Sequence, residues 1–252
     1  MSKIAVVGIG PGGIEDMTQR AINAIEEADL VIGYSAYVEL VGRHFPGKAF
    51  ISSGMTREVE RCGLALEKAR EGKKVALISS GDSGIYGMAG LMLQMANKYC
   101  CPIPVEVIPG ITAASAAAAI LGAPIMHDFA VISLSDRLTP LDLIYTRVKC
   151  AAQGDFVICL YNPKSNSRTE YIARARDIIL EHRAPSTPVG IVRNAGRENE
   201  GYTITDLTCM LDFEIDMFTV VIVGNSKTYV EDGRMITPRG YELDTVPCQP
   251  GR

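Results

Sequence analysis

Short aliphatic runs alternate along this chain with longer stretches in which apolar and charged positions recur at helical spacing. KIAVVGIG opens the sequence as a strand, and a helix is expected from about Ile14 to Glu27. LVIG and AFISS follow as strands, and then a long charged helix from Thr56 to Glu71. KKVALISSG and VEVIPG are two further strands, each followed by a helix, the first of which is expected over IYGMAGLMLQMANK. Strands without a polar face, alternating with helices, predict a parallel sheet covered on both sides. Near Leu121 the texture changes at the Gly/Pro-punctuated LGAPIMHD. Beyond it FAVISLSD, DFVICLYNP, PVGIVRNAG, YTITDLTCML and FTVVIVGN read as strands, the first three separated by helices. The last two are joined by a few residues around Asp212–Asp216. A short connection suits antiparallel neighbours, so a mixed sheet is expected in this half. The fold class is therefore α/β: two α/β domains, over 1–120 and 121–241, with an interdomain cleft and a loose tail at 242–252 ending in VPCQPGR.

Composition narrows the function classes. The 252 residues are 47% hydrophobic and 21% charged, which sustains a packed core and argues against disorder. The formal net charge of −4, with both signs mixed along the chain, leaves no clustered basic face for nucleic acid. The most apolar stretch, AASAAAAILGAP, is too short and alanine-rich to cross a bilayer, and the N-terminus shows no basic-then-apolar leader. A cytoplasmic protein with no membrane partner is expected. Seven scattered cysteines, odd in number and without metal-ligand spacing, read as reduced thiols, and no protein metal site is expected.

VVGIGPGG places Gly8, Gly10 and Gly13 in a G-x-G-x-x-G between a strand and a helix, the pattern that an NAD-linked oxidoreductase would use literally. Two residues oppose that use. Pro11 removes an N–H from the loop that should donate to a pyrophosphate. The acid that should follow the second strand is missing: Tyr34 stands there, and Asp29 lies at the strand's other end. The loop thus predicts a close approach to its backbone, not a nucleotide.

Further loops end strands at SSGDSGIYG from 79, PGIT from 109, LYNPKS from 160 and VRNAG from 192. The carboxyl edge of an α/β sheet is where ligands bind. With VGIGPGG, the order and spacing of these loops resemble the tetrapyrrole methylase superfamily from Lys3 to about Gly240. The resemblance implies S-adenosylmethionine as methyl donor and a tetrapyrrole substrate. It implies a cofactor site lined by Gly81, Asp82, Ile85, Thr112 and Ala113 from the first domain and by Tyr161, Asn194, Ala195 and Thr219 from the second. Gly8, Gly10, Pro11 and Gly12 would then face the macrocycle. Its acidic arms ask for donors, for which Arg137, Lys164 and Arg168 are candidates. His127, Asp128 and Ser135 are candidates for proton transfer. SSGDSGIYGMAG, HDFAVISLSDRLTP and LYNPKSNSR are most similar to the subgroup that methylates C-17 of precorrin-3B, or of its cobalt-bearing counterpart, and contracts the ring in cobalamin biosynthesis. A relative that methylates another corrin carbon is the nearest alternative. Superfamily members form homodimers, and Leu91, Met92, Leu93 and Met95 are too dense for one helical face, which makes that helix a candidate contact.

Overall fold

A computed structural model describes residues 2–165 and 168–242. Of the expected tail only Glu242 falls among them, and VPCQPGR lies outside the described residues. The chain divides into two compact units. The first runs to Ala116 and includes Asn194–Glu200; the second runs from Ala117 to Arg193 and resumes at Gly201.

The elements of the first unit are β1 (Lys3–Gly8), α1 (Gln19–Glu27), β2 (Leu30–Tyr34), α2 (Ser35–Gly42), β3 (Phe50–Ser53), α3 (Glu58–Arg70), β4 (Lys74–Ser79), α4 (Ala89–Lys98) and β5 (Val105–Ile108). The five strands form a fully parallel sheet in the order β3-β2-β4-β1-β5. Alternate side chains of one strand serve opposite faces, which explains the continuous apolar runs. Ile4 and Val6 of β1 pack with Cys62 and Leu66 of α3 and Met92 of α4. Ala5 and Val7 pack with Ala21 and Ile25 of α1. The central strands β1 and β4 are buried almost throughout, whereas the edge strands β3 and β5 are half exposed.

Two helix starts differ from the sequence expectation. Ile14–Asp16 forms only a 3-10 turn, because the Thr18 hydroxyl caps α1 by accepting from Ala21 N–H at 3.1 Å. The helix after β4 begins at Ala89 rather than Ile85. The intervening turn is held by Ala89 N–H donating to Ser83 O and Met88 N–H donating to Ser79 Oγ. The short helix α2, with Val41 its one buried residue, was not foreseen.

In the second unit α5 (Ala113–Leu121), which begins in the first, leads to β6 (Gly122–Ala123), β7 (Phe129–Ser133), α6 (Leu141–Gln153), β8 (Val157–Tyr161), α7 (Tyr171–Leu180), β9 (Pro188–Arg193), β10 (Gly201–Asp206), β11 (Thr219–Val223), β12 (Tyr229–Glu231) and β13 (Arg234–Ile236). Five strands form a mixed sheet in the order β10-β9-β11-β8-β7, in which only β7 and β8 are parallel. The expected pairing of β10 with β11 is not formed: both flank β9, each antiparallel to it. The connection buries Leu207, Met210 and Ile215 in the core as it crosses β9, and Asp212–Asp216 is only its last part. A small sheet, β12-β13-β6, completes the unit. Among the described residues no helix is long and apolar enough to cross a membrane.

Candidate active site

Because β4, β1 and β5 are consecutive in the first sheet, the loops that follow them meet at its carboxyl edge. They meet backbone to backbone. A Cβ on Gly8 would lie 2.7 Å from both Gly110 N and Gly81 O. Gly10 and Gly81 exchange two hydrogen bonds, N–H to O, at 3.1 and 2.8 Å. Ser83, fully buried, directs its hydroxyl to the carbonyls of Val6 and Ile108, both at 3.2 Å. Asp82 ties two loops together: Oδ1 accepts from Gly84 N–H at 2.7 Å and Oδ2 from Gly110 N–H at 3.0 Å. Ile85, Tyr86 and Ile111 of these loops are exposed, and Thr112 and Ala113 are half-buried at the start of α5.

The segment Asn194–Glu200 joins this group, so Asn194 and Ala195 belong with the first unit and not, as expected, the second. Its turn is self-tied by Arg197 N–H donating to Asn194 O and by Gly196 N–H donating to Glu200 Oε2. A methyl on Gly12 would collide with the Gly196 carbonyl, and Pro11 is buried against Gly196. Arg197 donates through Nε to Pro11 O at 2.7 Å and through Nη2 to Ser80 Oγ at 2.6 Å. The close approach that Gly8, Gly10 and Gly12 permit is therefore, in this structure, that of the chain itself.

In the second unit the parallel pair β7 and β8 brings Ser133 level with Tyr161. Asn162, at φ +51°, donates through Nδ2 to Ser133 Oγ at 2.9 Å. Arg168 donates through Nε to Ser165 Oγ at 2.9 Å and through Nη1 to Ser135 Oγ, with Asp136 at 3.5 Å. The Tyr171 hydroxyl donates to Asp136, which holds that carboxyl below its usual range. Thr219 is buried and its hydroxyl is spent on Asp216, which Arg193 also holds at 2.7 Å. Arg137 is exposed and Lys164 half-buried. His127 and Asp128 are both exposed; Nδ1 of the imidazole accepts from Asp128 N–H at 2.8 Å.

The family model described as Tetrapyrrole (Corrin/Porphyrin) Methylases matches residues 3–210. This chain is a tetrapyrrole methylase. It is 52% identical over 241 residues to the probable cobalt-factor III C(17)-methyltransferase of Salmonella typhimurium, covering 95% of this chain and 100% of that one. It is 51% identical over 244 residues to the cobalt-factor III methyltransferase of Priestia megaterium, 95% of this chain but 45% of that longer protein. The crystal structure of the methyltransferase CobJ matches with a TM-score of 0.88 and 34% identity over 94% of this chain and 100% of that one. A uroporphyrin-III C-methyl transferase from Thermus thermophilus, complexed with S-adenyl homocysteine, shares the fold at a TM-score of 0.68 and 23% identity, covering 88% of this chain and 97% of that one.

In this methylase the sequence reading missed three residues that shape the first unit's loops: Ser83, Arg197 and Arg61, whose Nη1 donates to Ser53 Oγ and Gly54 O at the end of β3. Arg197 is set in the site by a turn whose own glycine packs on Pro11, a long-range contact with no local signal. Burial draws its guanidinium below the usual arginine value, and it remains a cation. The residues present fit a methyl donor that is itself cationic. Both Asp82 oxygens hold one N–H each, and a carboxylate oxygen has capacity for a second donor.

Proposed function

We propose that this protein transfers a methyl group from S-adenosylmethionine to C-17 of a corrin precursor at the stage of precorrin-3B, with contraction of the ring, and that the substrate carries cobalt. The identity of 52% across the whole of a relative named for cobalt-factor III and C-17 carries the reading. When bound, S-adenosylmethionine supplies a methyl on a sulfonium, already a good leaving group for an electron-rich ring carbon. The protein's task is then alignment and exclusion of water.

On this reading Gly81, Asp82, Ile85, Thr112, Ala113, Asn194 and Ala195, all of the first unit, hold the methyl donor. Asp82 accepts from its ammonium or ribose hydroxyls with the lone pairs that Gly84 and Gly110 leave free. In the second unit the Thr219 hydroxyl is spent on Asp216, and it is assigned no bond to the methyl donor. Pro11 acts from beneath: buried, it supports Gly196 and Arg197, while Gly8, Gly10 and Gly12 keep the loop thin. Arg137, Lys164 and Arg168 answer acidic arms of the substrate. The Ser135 oxygen accepts from Arg168 and the His127 imidazole accepts from Asp128 N–H; none of the three is assigned the proton transfer of ring contraction.

We place the protein in the cytoplasm as a homodimer. The six described cysteines are unpaired thiols, as a reducing compartment requires. Leu93 stands exposed on α4 while Met92 and Met95 are buried, which leaves an apolar contact on that helix.

Mass spectrometry after incubation with S-adenosylmethionine and either cobalt-bearing or metal-free substrate tests the function. One added methyl on the cobalt-bearing substrate, with a ring-contracted product, is expected. Methylation of the metal-free substrate alone would move the protein to the other route. Transfer to a different carbon would refute the C-17 assignment.

A further inference from the structure

A recess of about 150 Å³ opens beside the loop after β4, and the residues lining it include Tyr34, Tyr37, Met55, Glu58, Arg61 and Ser80. It lies wholly in the first unit. Arg61 is only 5% exposed. Its Nη1 donates to Ser53 Oγ at 2.9 Å and to Gly54 O at 2.8 Å, and its Nη2 donates to Glu58 Oε1 at 3.2 Å. A guanidinium carries five N–H donors, so Nε–H and one N–H of Nη2 are left over among the described residues. Neither nitrogen is among the buried side-chain atoms without a partner, and Arg61 lines the recess, so these donors are available to a group that enters it. Glu58, the acid facing this group, is half exposed and offers a single contact. Arg197 adds a second cation at the recess through its bond to Ser80 Oγ. Tyr34 and Tyr37 add phenol groups, their rings edge to face at 5.2 Å. The volume equals about five waters at roughly 30 Å³ each, room for a short chain with a polar head but not for a whole tetrapyrrole macrocycle.

We propose that this recess takes one carboxylate side arm of the macrocycle, with the two spare N–H groups of Arg61 as its receptor. Arg61 is then a specificity-determining residue, selecting a ring that carries an acid at that position. This rests on the tetrapyrrole reading above and extends it to a named subsite.

Fluorescence titration of the folded protein with uroporphyrin, a stable porphyrin bearing acetate and propionate arms, tests it, with S-adenosylhomocysteine titrated in parallel. Arg61→Met is expected to weaken porphyrin binding by roughly ten- to hundredfold, the range for a lost hydrogen bond to a charged group. Arg61→Lys is expected to restore only part of it, because the ammonium lacks the planar fork. Met55→Glu, at an exposed lining position, places a competing carboxylate at the recess and is expected to weaken porphyrin binding several-fold. S-adenosylhomocysteine affinity should stay within twofold in all three. Should Arg61→Met fail to fold, Met55→Glu carries the test. Unchanged porphyrin affinity in the folded variants would overturn the recess assignment and leave the tetrapyrrole reading standing. A parallel loss of S-adenosylhomocysteine affinity would overturn it too, by giving the recess to the methyl donor. If the unaltered protein bound S-adenosylhomocysteine but no porphyrin, the tetrapyrrole reading would fail, and this proposal with it.

Discussion

Each oxygen of the Asp82 carboxylate accepts a backbone N–H, one from its own turn and one from the loop after β5. Asp82→Ala leaves both donors without their acceptor, and a loss of about 1–3 kcal/mol in unfolding free energy is expected by urea denaturation. S-adenosylhomocysteine binding should fall as well. Asp82→Asn should not rescue either quantity, because its amide presents an NH2 where one of the two acceptors is needed. The buried thiols give a pH dependence opposite in sign to that of a carboxyl group whose pKa a partner lowers. Burial pushes the thiol of Cys62 up to about 11 and that of Cys159 up to about 12, from an ordinary value of 9.0. These thiols stay protonated in the folded chain while the unfolded chain begins to lose protons near pH 9, so their contribution is intact below that value and is lost as pH rises through 9 to 12. At pH 10 the loss is on the order of 1.4 kcal/mol for each thiol, one pH unit above its unfolded value. Stability measured at pH 8 and pH 10 should show it, and Cys159→Ala should flatten the difference.

At the scale of elements, two glycines separate packing from propensity. Gly12 faces the Gly196 carbonyl at contact distance, so Gly12→Ala must push Asn194–Glu200 off the Pro11 loop and break the Arg197 bonds to Pro11 and Ser80. A destabilisation of about 2–4 kcal/mol is expected, with faster hydrogen exchange confined first to residues 194–200. Gly90 sits inside α4 with nothing within 4 Å of a would-be Cβ. Gly90→Ala should raise stability by about 0.5–1 kcal/mol, and a melting temperature that fell would show that the position is packed. The central strands were legible from their two-faced apolar runs. The hairpin of β12 and β13 has a local signal: Asp232-Gly233, both at positive φ, is a common hairpin turn. The short helix α2 had none, since eight residues with one buried side chain leave no amphipathic stripe.

For the whole molecule, the dimer proposal predicts a mass near twice 27.2 kDa by light scattering at micromolar concentration. Leu93→Glu on α4 should shift it towards the monomer, whereas a concentration-independent monomer in the unaltered protein would refute the proposal. The sequence by itself determined the α/β class, the two sheets, and the loops at 81, 109, 160 and 192 as strand ends, because each rests on short-range periodicity and turn chemistry. It also carried the family, through the order of those loops. Only the tertiary structure decided that β9 lies between β10 and β11, since a connection's length does not say which strand it passes. It alone placed Asn194–Glu200 with the first unit and buried Arg61 beside a recess. Those outcomes depend on contacts between segments far apart in the chain: a glycine at 12 against one at 196, a guanidinium at 197 against a serine at 80. Local pattern carries no record of such pairs, because their energies exist only once the sheet order has brought the loops together.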